Sequence, residues 1–491
     1  MSLINLVHSF SKYLPKIKAP DKPLAVKDRL IWTGVVLVLY FMLYQTTAFG
    51  VPHISGGLDF LQTITASRIG SLLTTGIGPI VLSSIFLQLF SGAGLIDLDL
   101  KNKNDKAKFL ETQKVLAILL ALVEAVVFVM VAKIVPVASI AGIDPLILML
   151  LVVFQVTVGS VIILFLDELT TKYGIGSGIS LFIAAGVSLA VFMGVVSLIF
   201  NSSTGFIAIM AEGGAEALPN GLLAILPFAF TILVFLTVVY AESVKVEIPI
   251  AFQRFRGMVP KLPLKFFYVS NIPVIFASAL IINIQLFSGG ILTGQYYDEN
   301  TNPYLDFSGG YDFGTHGILP LIGYVDAQGQ LRDGLLYMFT PVYGAGRTTV
   351  EHWNFLSNAS TSLFGIPEWM HAIVYIIMLS FVSVMFGMFW VETANMDAKS
   401  VAGQLSESGI QIPGFRRDPR MLETILNKHI FPLTVMGSFC VGLLAGIADL
   451  TGALGTGTGI LLTVGILHRM YEQLEQMKAF DMYPSLSGFL G

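Results

Sequence analysis

The chain offers few side chains that could do chemistry, and they do not group into a catalytic site. Its 491 residues contain no His-Glu-x-x-His metal motif, no Gly-x-Ser-x-Gly nucleophile motif and no nucleotide-binding P-loop. The single cysteine, Cys440, lies inside an apolar run, which excludes a disulfide within the chain and a thiolate metal site. The seven histidines are scattered, without the spacing of paired metal ligands. We therefore predict neither an enzyme nor a protein that binds a metal or another cofactor.

Glu124 is the one ionisable residue that lies well inside an apolar run and not at its edge. A carboxylate in the middle of a membrane is costly to bury, so it usually has a partner and a function. The alternative is a hydrogen bond that packs one helix against another. Asn271 and Asn283 add polar groups to a later run, and Pro273 frees backbone groups beside the first of them. A single isolated carboxylate argues against an ion-coupled transporter.

Composition places the chain in a membrane. Hydrophobic residues make up 54% of it and charged residues 12%, whereas an ordinary soluble domain has about 25% charged residues. No soluble fold of this length could cover so much apolar surface with so few charges. We predict an all-α integral membrane protein whose apolar surface is solvated by lipid.

Ten apolar runs predict ten transmembrane helices, because about 20 helical residues cross a hydrocarbon layer of about 30 Å. The second and the tenth runs are short and follow glycine-rich stretches, which is typical of broken helices. The runs are residues 30–49, 77–90, 115–132, 146–166, 179–200, 222–240, 266–287, 372–391, 430–448 and 460–467.

The placement of lysine and arginine gives the orientation. With the N-terminus in the cytoplasm, all but four of the 28 lysines and arginines fall on the cytoplasmic side. This bias favours ten spans with both termini inside. Residues 1–29 have no apolar core of signal-peptide type, so we predict that they form a cytoplasmic segment, and residues 475–491 a cytoplasmic tail. The four exceptions are Arg68, Lys133, Arg332 and Arg347.

An internal repeat divides the chain into two parts. Residues 174–181, Gly-Ile-Gly-Ser-Gly-Ile-Ser-Leu, match residues 455–462, Gly-Thr-Gly-Thr-Gly-Ile-Leu-Leu, at five of eight positions. The segments open the fifth and the tenth runs, so two halves of five helices each would be inverted in the membrane. The predicted parts are halves at 30–200 and 222–474, an external hinge loop at 201–221, an external insertion at about 288–370, and cytoplasmic loops at 241–265 and 392–429.

The glycine-rich segments have competing interpretations. A phosphate cradle is improbable, because no strand precedes either segment and no P-loop lysine follows. Close helix packing and an unwound helix start that faces a cavity both remain open. The match between the two halves favours the second interpretation.

Longer strings resemble the SecY family of protein-conducting channels, most of all its archaeal members, and also the alpha subunit of the eukaryotic translocon. The similarity runs from about residue 30 to residue 474, apart from the external insertion. It implies an hourglass channel around a central pore between the two halves, which opens across the membrane and sideways into lipid. The strings are residues 62–70, 76–81, 172–179, 269–275, 389–393 and 469–473.

The resemblance implies a pore constriction of six aliphatic residues. Most of them are β-branched and therefore stiff, and a ring of such side chains binds no solute and dewets readily. From the sequence alone, the same residues would be interpreted as helix-packing core. The predicted ring consists of Ile77, Val81, Ile179, Ile183, Ile275 and Leu462.

The resemblance also implies a plug at about residues 58–70. Its alternative is an ordinary external loop with a helical turn. Polar residues interrupt this segment, so it is unsuited to lipid but suited to a water-filled vestibule. The plug residues are Thr63, Ile64, Thr65, Ala66, Ser67 and Arg68.

A polar cluster at a lateral gate is a further feature that the resemblance implies. Glu124 and Asn283 match the family pattern, whereas Leu82 replaces a small hydroxyl residue and Ser83 follows it. We therefore expect a rearranged or weaker cluster.

Two basic cytoplasmic loops resemble those that dock the ribosome in this family. Their arginines could bind phosphates of ribosomal RNA, although positive charge that only fixes the topology is the alternative. The predicted ribosome-binding residues are Arg254, Arg256, Lys261, Arg416 and Arg417.

The resemblance implies partners as well. They are a small SecE-type clamp subunit, a third single-span subunit, the ribosome, signal sequences, nascent polypeptides and the lipid bilayer. The expected location is the cell membrane, and translation would supply the energy. A secondary transporter with inverted repeats is the alternative, but it would need charged groups that converge near the midplane. A scaffold without a pore would leave the matched helix starts unexplained.

Overall fold

The structure is a computed structural model. The residues that it describes are 14–20, 24–52, 62, 65–92, 103–131, 144–202, 204–214, 217–249, 251–252, 261–281, 283–284, 322–325, 331–342, 349–358, 365–407, 410–411 and 419–482.

Long helices dominate the N-terminal part of the chain. Each of them contains a stretch of apolar sequence, and such a stretch is helical in lipid because a helix pairs its backbone groups internally where lipid offers no partner. The helices are α1 (Val26–Gln45), α2 (Gly78–Gly92), α3 (Lys103–Val126, followed by a π-helical turn Val127–Val131), α4 (Pro145–Tyr173) and α5 (Gly178–Phe200).

The C-terminal part mixes long helices with short connecting ones. Two of the long helices contain a proline, Pro227 in α7 and Pro432 in α12. The helices are α6 (Phe206–Glu212), α7 (Ala217–Ser243), α8 (Ile272–Ile281), α9 (Thr349–Asn358), α10 (Glu368–Thr393), α11 (Ala398–Glu407), α12 (Pro419–Leu450) and α13 (Gly457–Met482).

Three short antiparallel ribbons lie in the connections. β1 (Lys245–Pro249) pairs with β3 (Lys261–Lys265), and β4 (Tyr324–Val325) pairs with β5 (Leu331–Asp333). β2 (Ala251–Phe252) pairs with β6 (Ile410–Gln411). The last pair joins the two predicted cytoplasmic loops, which lie about 160 residues apart in the sequence and were expected as separate features.

Six helices among the described residues are long and apolar enough to cross a membrane. Two shorter apolar helices, Gly78–Gln88 and Ile272–Ile281, lie at the second and the seventh predicted runs. The prediction of an all-α membrane protein is confirmed. The count of ten spans stays a prediction, although a helix overlaps each of the ten runs.

One large apolar cluster lies where these helices meet. It is built from residues of every helix that overlaps a predicted run, so the helices pack around one common centre. Representative buried members, one from each helix in chain order, are Val36, Ile80, Ala117, Ile163, Phe182, Val234, Val274, Leu379, Val441 and Leu461.

The two helices that begin with the repeated glycine segments, α5 and α13, lie side by side. A Cβ atom at Gly176 would lie 3.3 Å from Gln473 Oε1, near the end of α13. A Cβ atom at Gly455 would lie 2.7 Å from Val191 Cγ2, in the second half of α5. The two helices therefore run antiparallel, which is the arrangement that inverted halves require. Both Gly176 and Gly455 have positive φ, of 74° and 75°, directly before a helix.

Candidate functional site

The structure brings the six predicted ring residues into the same apolar cluster. Four of them are buried there, and the other two are half-buried and pack against it. They come from four separate helices or from the residue before one, so the cluster is a meeting point and not one helix face. The buried four are Ile77, Val81, Ile183 and Leu462, and the half-buried two are Ile179 and Ile275.

The base of the predicted plug is hydrogen-bonded to the start of α2. The Ile77 amide donates to the Thr65 carbonyl oxygen at 2.8 Å. Between them Gly76 has φ of 54°, and a Cβ atom there would collide with that carbonyl and lie 2.8 Å from Ser67 Cβ. Only glycine fits this turn, because it accepts positive φ and leaves room for the plug backbone.

The plug residues Thr65, Ala66 and Ser67 are buried between helices. Tyr40 of α1 donates a hydrogen bond from its hydroxyl to the Ala66 carbonyl at 3.0 Å. A Cβ atom at Gly186 of α5 would lie 3.1 Å from Tyr40 Oη and 3.7 Å from Ala66 Cα. The segment is therefore seated between α1, α2 and α5.

Arg68 marks the outer end of the described plug. It is half-buried, and its guanidinium donates a hydrogen bond to Gln45 at the end of α1. Residues 58–61, Thr63 and Ile64 lie outside the described residues.

Two aspartates that the sequence analysis did not assign to the site cap α5 and α13, the helices that carry three of the predicted ring residues. Asp167 of α4 accepts from the Ile179 amide at 2.9 Å. Asp449 of α12 accepts from the Gly457 amide at 2.7 Å. The sequence feature that could have predicted these caps is an aspartate at the end of an apolar run, eight to eleven residues before a helix that begins with glycine.

A third polar contact joins α8 to α13 beside the ring. The Asn271 side-chain amide donates to the Leu461 carbonyl at 2.9 Å, one residue before Leu462. A Cβ atom at Gly465 would lie 2.9 Å from Asn271 Cγ and 3.1 Å from Glu242 Oε1, so three helices approach closely here. The polar residue that was noted before Pro273 therefore holds a helix that carries a ring residue.

The three predicted gate residues are all buried, but among the described residues no hydrogen bond joins them to one another. Ser83 donates to Ile80 O at 2.7 Å within α2, and Asn283, two residues after the end of α8, donates to Ala279 O of that helix at 2.8 Å. The Glu124 carboxylate instead lies at the start of α2, where its Oε2 would be 3.1 Å from a Cβ atom on Gly78.

Oxygen atoms of two gate residues are left without a partner. Glu124 Oε1 and Asn283 Oδ1 are buried and accept no hydrogen bond in the described part of the chain. Leu82, which stands where the family pattern has a hydroxyl, is also buried.

The structure describes little of the predicted ribosome-binding residues. Arg254, Arg256, Arg416 and Arg417 lie outside the described residues, and only the backbone of Lys261 is described, at the start of β3.

At the other end of β3, Lys265 forms an ion pair with Glu472 of α13 at 2.7 Å. Burial raises the pKa of Glu472, but the hydrogen bond and charge of Lys265 outweigh it and hold that pKa below its usual value. The last strand of the predicted cytoplasmic loop 241–265 is thus fastened to α13, a helix that carries a predicted ring residue.

Comparison with known proteins identifies the family. A family model described as SecY matches residues 71–471. The chain belongs to the SecY family. The protein translocase subunit SecY of Methanocaldococcus jannaschii is 42% identical over 484 residues, which cover 97% of each chain.

Solved SecY and Sec61 channels share the fold. One SecY structure, described for a plug domain that stabilises the closed state of the translocation channel and maintains a membrane seal, has 39% identity and a TM-score of 0.74 over 99% of each chain. Sec61 in the canine ribosome–channel complex from the endoplasmic reticulum has 40% identity and a TM-score of 0.74, also over 99% of each chain. The resemblance that the sequence motifs indicated is confirmed. This SecY-family chain is a multi-pass membrane protein, and its family is one of protein-translocation channels and not a known class of enzyme.

Proposed function

We propose that this SecY-family protein conducts unfolded polypeptides across the membrane through a constriction formed by its six ring residues. The protein-conducting function itself follows from family membership. The observation that supports the constriction is the convergence of aliphatic side chains from α2, α5, α8 and α13 in one cluster, next to the seated plug. An aliphatic ring suits this task, because it grips no particular side chain and can close around an extended chain of any sequence.

The plug would leave its seat when a polypeptide enters. Its contacts with the helices include single hydrogen bonds, and one of them, from Ile77 to Thr65, directly involves a ring residue. Movement of the start of α2 would therefore loosen the plug and the ring together. The hydrogen bond between Ile77 and Thr65 therefore supports a single step in which the plug leaves and the ring widens together.

The proposed lateral gate lies where α2 and α3 meet α8 and α10. Both sides of this boundary carry residues of the common apolar cluster, Ile80 of α2 and Ala117 of α3 on one side and Val274 and Ala277 of α8 on the other, so apolar contacts close it. An apolar signal sequence or membrane segment can replace such contacts at little cost and then pass sideways into lipid. Glu124 would set how apolar that segment must be, since its carboxylate lies beside the same helices.

The paired cytoplasmic loops would form the ribosome-docking surface. The β2–β6 pairing, which joins residues of the two basic loops, supports a single docking surface for ribosomal RNA. The related Sec61 channel was solved in a ribosome–channel complex. Charge reversal at Arg254, Arg256 and Arg416 should abolish co-sedimentation with ribosomes at moderate salt, and unchanged co-sedimentation would refute the assignment.

Exposed apolar helix faces would bind lipid and the partner subunits. Few residues of α7 are buried, and Leu222, Leu233 and Leu236 are among its exposed side chains. Such a face suits a SecE-type clamp subunit, a third single-span subunit or lipid. In the cell membrane, the lysine and arginine bias of the sequence would keep both termini in the cytoplasm.

Crosslinking of a stalled nascent chain tests the proposed path. Photoreactive probes at Ile77, Ile179 and Ile275 should each label the polypeptide. A probe at Phe192, an exposed residue of α5, is the matched control and should label lipid. Labelling from Phe192 that equals labelling from the three ring positions would refute the path.

A further inference from the structure

Asp167 and Asp449 fasten the starts of the two antiparallel helices that carry half of the proposed ring. We infer that they are positioning residues of the channel, which set the height and rotation of Ile179, Ile183 and Leu462 in the closed constriction. This inference rests on the constriction proposed above.

Asp449 has the more elaborate set of contacts. Its Oδ1 accepts from the Gly457 amide at 2.7 Å and from the Thr458 amide at 3.4 Å. Its Oδ2 accepts from the Thr458 hydroxyl at 2.9 Å and from the Tyr375 hydroxyl at 2.9 Å. The carboxylate therefore joins α10, α12 and α13, and each of its oxygens has two donors.

Asp167 plays the corresponding part at the start of α5. Its Oδ1 accepts at 2.9 Å from the amide of Ile179, which is itself a ring residue. A Cβ atom on Gly178 would lie 2.9 Å from that same oxygen. The side chain thus acts directly on the backbone of the ring.

Glycine begins both helices for the same steric reason. A Cβ atom on Gly178 would lie 2.5 Å from Asp167 Cα, and one on Gly457 would lie 2.5 Å from the carbonyl carbon of Ala448. The backbone of the preceding helix therefore lies against the helix start, and this contact places the aspartate side chain beside the first amides. Two different parts of the chain use this arrangement, which matches the repeat in the sequence.

The physical need for these caps follows from burial. The first amides of a helix have no partner within the helix, and in a membrane interior no water replaces one. A carboxylate satisfies these amides and interacts favourably with the positive end of the helix dipole. Without it, the first turn of α5 or α13 would unwind or shift to find other acceptors.

The antiparallel arrangement gives the two caps complementary positions. Asp167 acts at the start of α5 and Asp449 at the start of α13, which lie at opposite ends of the helix pair. Asp167 thus fixes α5 against α4, and Asp449 fixes α13 against α12 and α10, so the two caps act at different levels of the membrane. A shift at either end would displace ring residues along or around the helix axis and open gaps in the constriction.

Ion flux through the closed channel tests the inference, with the full-length protein and its partner subunits in liposomes. Asp167→Ala and Asp449→Ala should each raise the ion flux per folded channel at least about fivefold. The loss of one helix cap should shift the equilibrium between the closed and the leaky channel by about this factor. Tyr375→Phe removes one donor to Asp449 and should cause a smaller rise. Asp144→Ala is the matched control, because Asp144 caps α4, which carries no ring residue, and it should not change the flux.

Leu462→Ala separates the two possible failures. If Leu462→Ala leaks while both cap variants conduct like Asp144→Ala, the positioning role is wrong and the proposed constriction stands. If Leu462→Ala does not leak either, the constriction itself is wrong and the positioning role falls with it. A merely structural role would lower the yield of folded protein and leave the flux per folded channel unchanged. Tyr375→Phe keeps the test decisive if the alanine variants fail to fold.

Discussion

Replacing Tyr40 by phenylalanine removes one hydroxyl from the plug seat and keeps the aromatic ring. That ring stacks on Phe182 of α5, with centroids 5.0 Å apart and planes 17° apart, so the packing of α1 on α5 should survive. The lost hydroxyl is the donor to the Ala66 carbonyl at 3.0 Å. The substitution therefore tests one hydrogen bond between the plug and the helix bundle.

The size of the effect follows from burial. Tyr40 and Ala66 are both almost fully buried, so no solvent reaches the carbonyl that loses its donor. An orphaned buried acceptor costs about 1–3 kcal/mol. A cost of about 1.4 kcal/mol is a factor of ten in an equilibrium, so the population of the seated plug should fall about fivefold to about 150-fold relative to that of the displaced plug.

Export of a reporter protein with a defective signal sequence measures this shift. Tyr40→Phe should export the reporter several times faster than the unaltered channel, because less free energy is needed to unseat the plug. Tyr240→Phe is the control, since Tyr240 of α7 is 73% exposed, whereas the described plug residues Thr65, Ala66 and Ser67 are buried. If Tyr40→Phe exports the reporter no faster than Tyr240→Phe, the hydrogen bond does not hold the plug and the reasoning is wrong.

Three further perturbations give clear expectations. Glu124→Leu removes an unpartnered buried carboxylate oxygen and should stabilise the seated state by about 1–3 kcal/mol; export driven by a weakly apolar signal should fall, and a rise would contradict this. Gly186→Val places a Cβ atom 3.1 Å from Tyr40 Oη and should displace the plug, which would raise the ion flux. Gly34→Val is the control, because a Cβ atom there has no atom within 4 Å, and it should leave the ion flux unchanged. The lowered pKa of Glu472 means that its ion pair with Lys265 stabilises the fold above the usual carboxyl pKa and is lost as the pH falls through the lower value of the folded state. Between about pH 6 and about pH 3, the free energy of unfolding should therefore fall in the unaltered protein by up to about 1 kcal/mol more than it falls in Lys265→Gln. Equal decreases in the two proteins would contradict the role of the pair.

The helices of this fold could be predicted from local sequence. The run at 179–200 and the helix Gly178–Phe200 agree almost to the residue, because a glycine-rich segment precedes the run and Asn201 follows it. The run at 146–166 ended at Asp167, whereas α4 continues to Tyr173. The charged turns beyond the apolar run remain helical, since hydropathy marks what lipid covers and not where a helix ends.

The site was only partly predictable. The ring and plug stay predictions that only the family resemblance supplied, since aliphatic residues in a pore and in a core look alike in the sequence. The caps were missed because Asp449 looked like the boundary of a run, and only its position eight residues before Gly457 hinted at more. The pairing of β2 with β6 could not be predicted at all, because two-residue strands in separate loops leave no periodic signal.

The position of a stalled polypeptide in the assembled channel tests the central claim most directly. A structure of the ribosome-bound protein with such a chain should show it passing between Ile77, Ile183 and Leu462, with the plug away from Tyr40. A chain that instead runs along the exposed face of α7, with the three ring side chains still packed against one another, would contradict the proposed path.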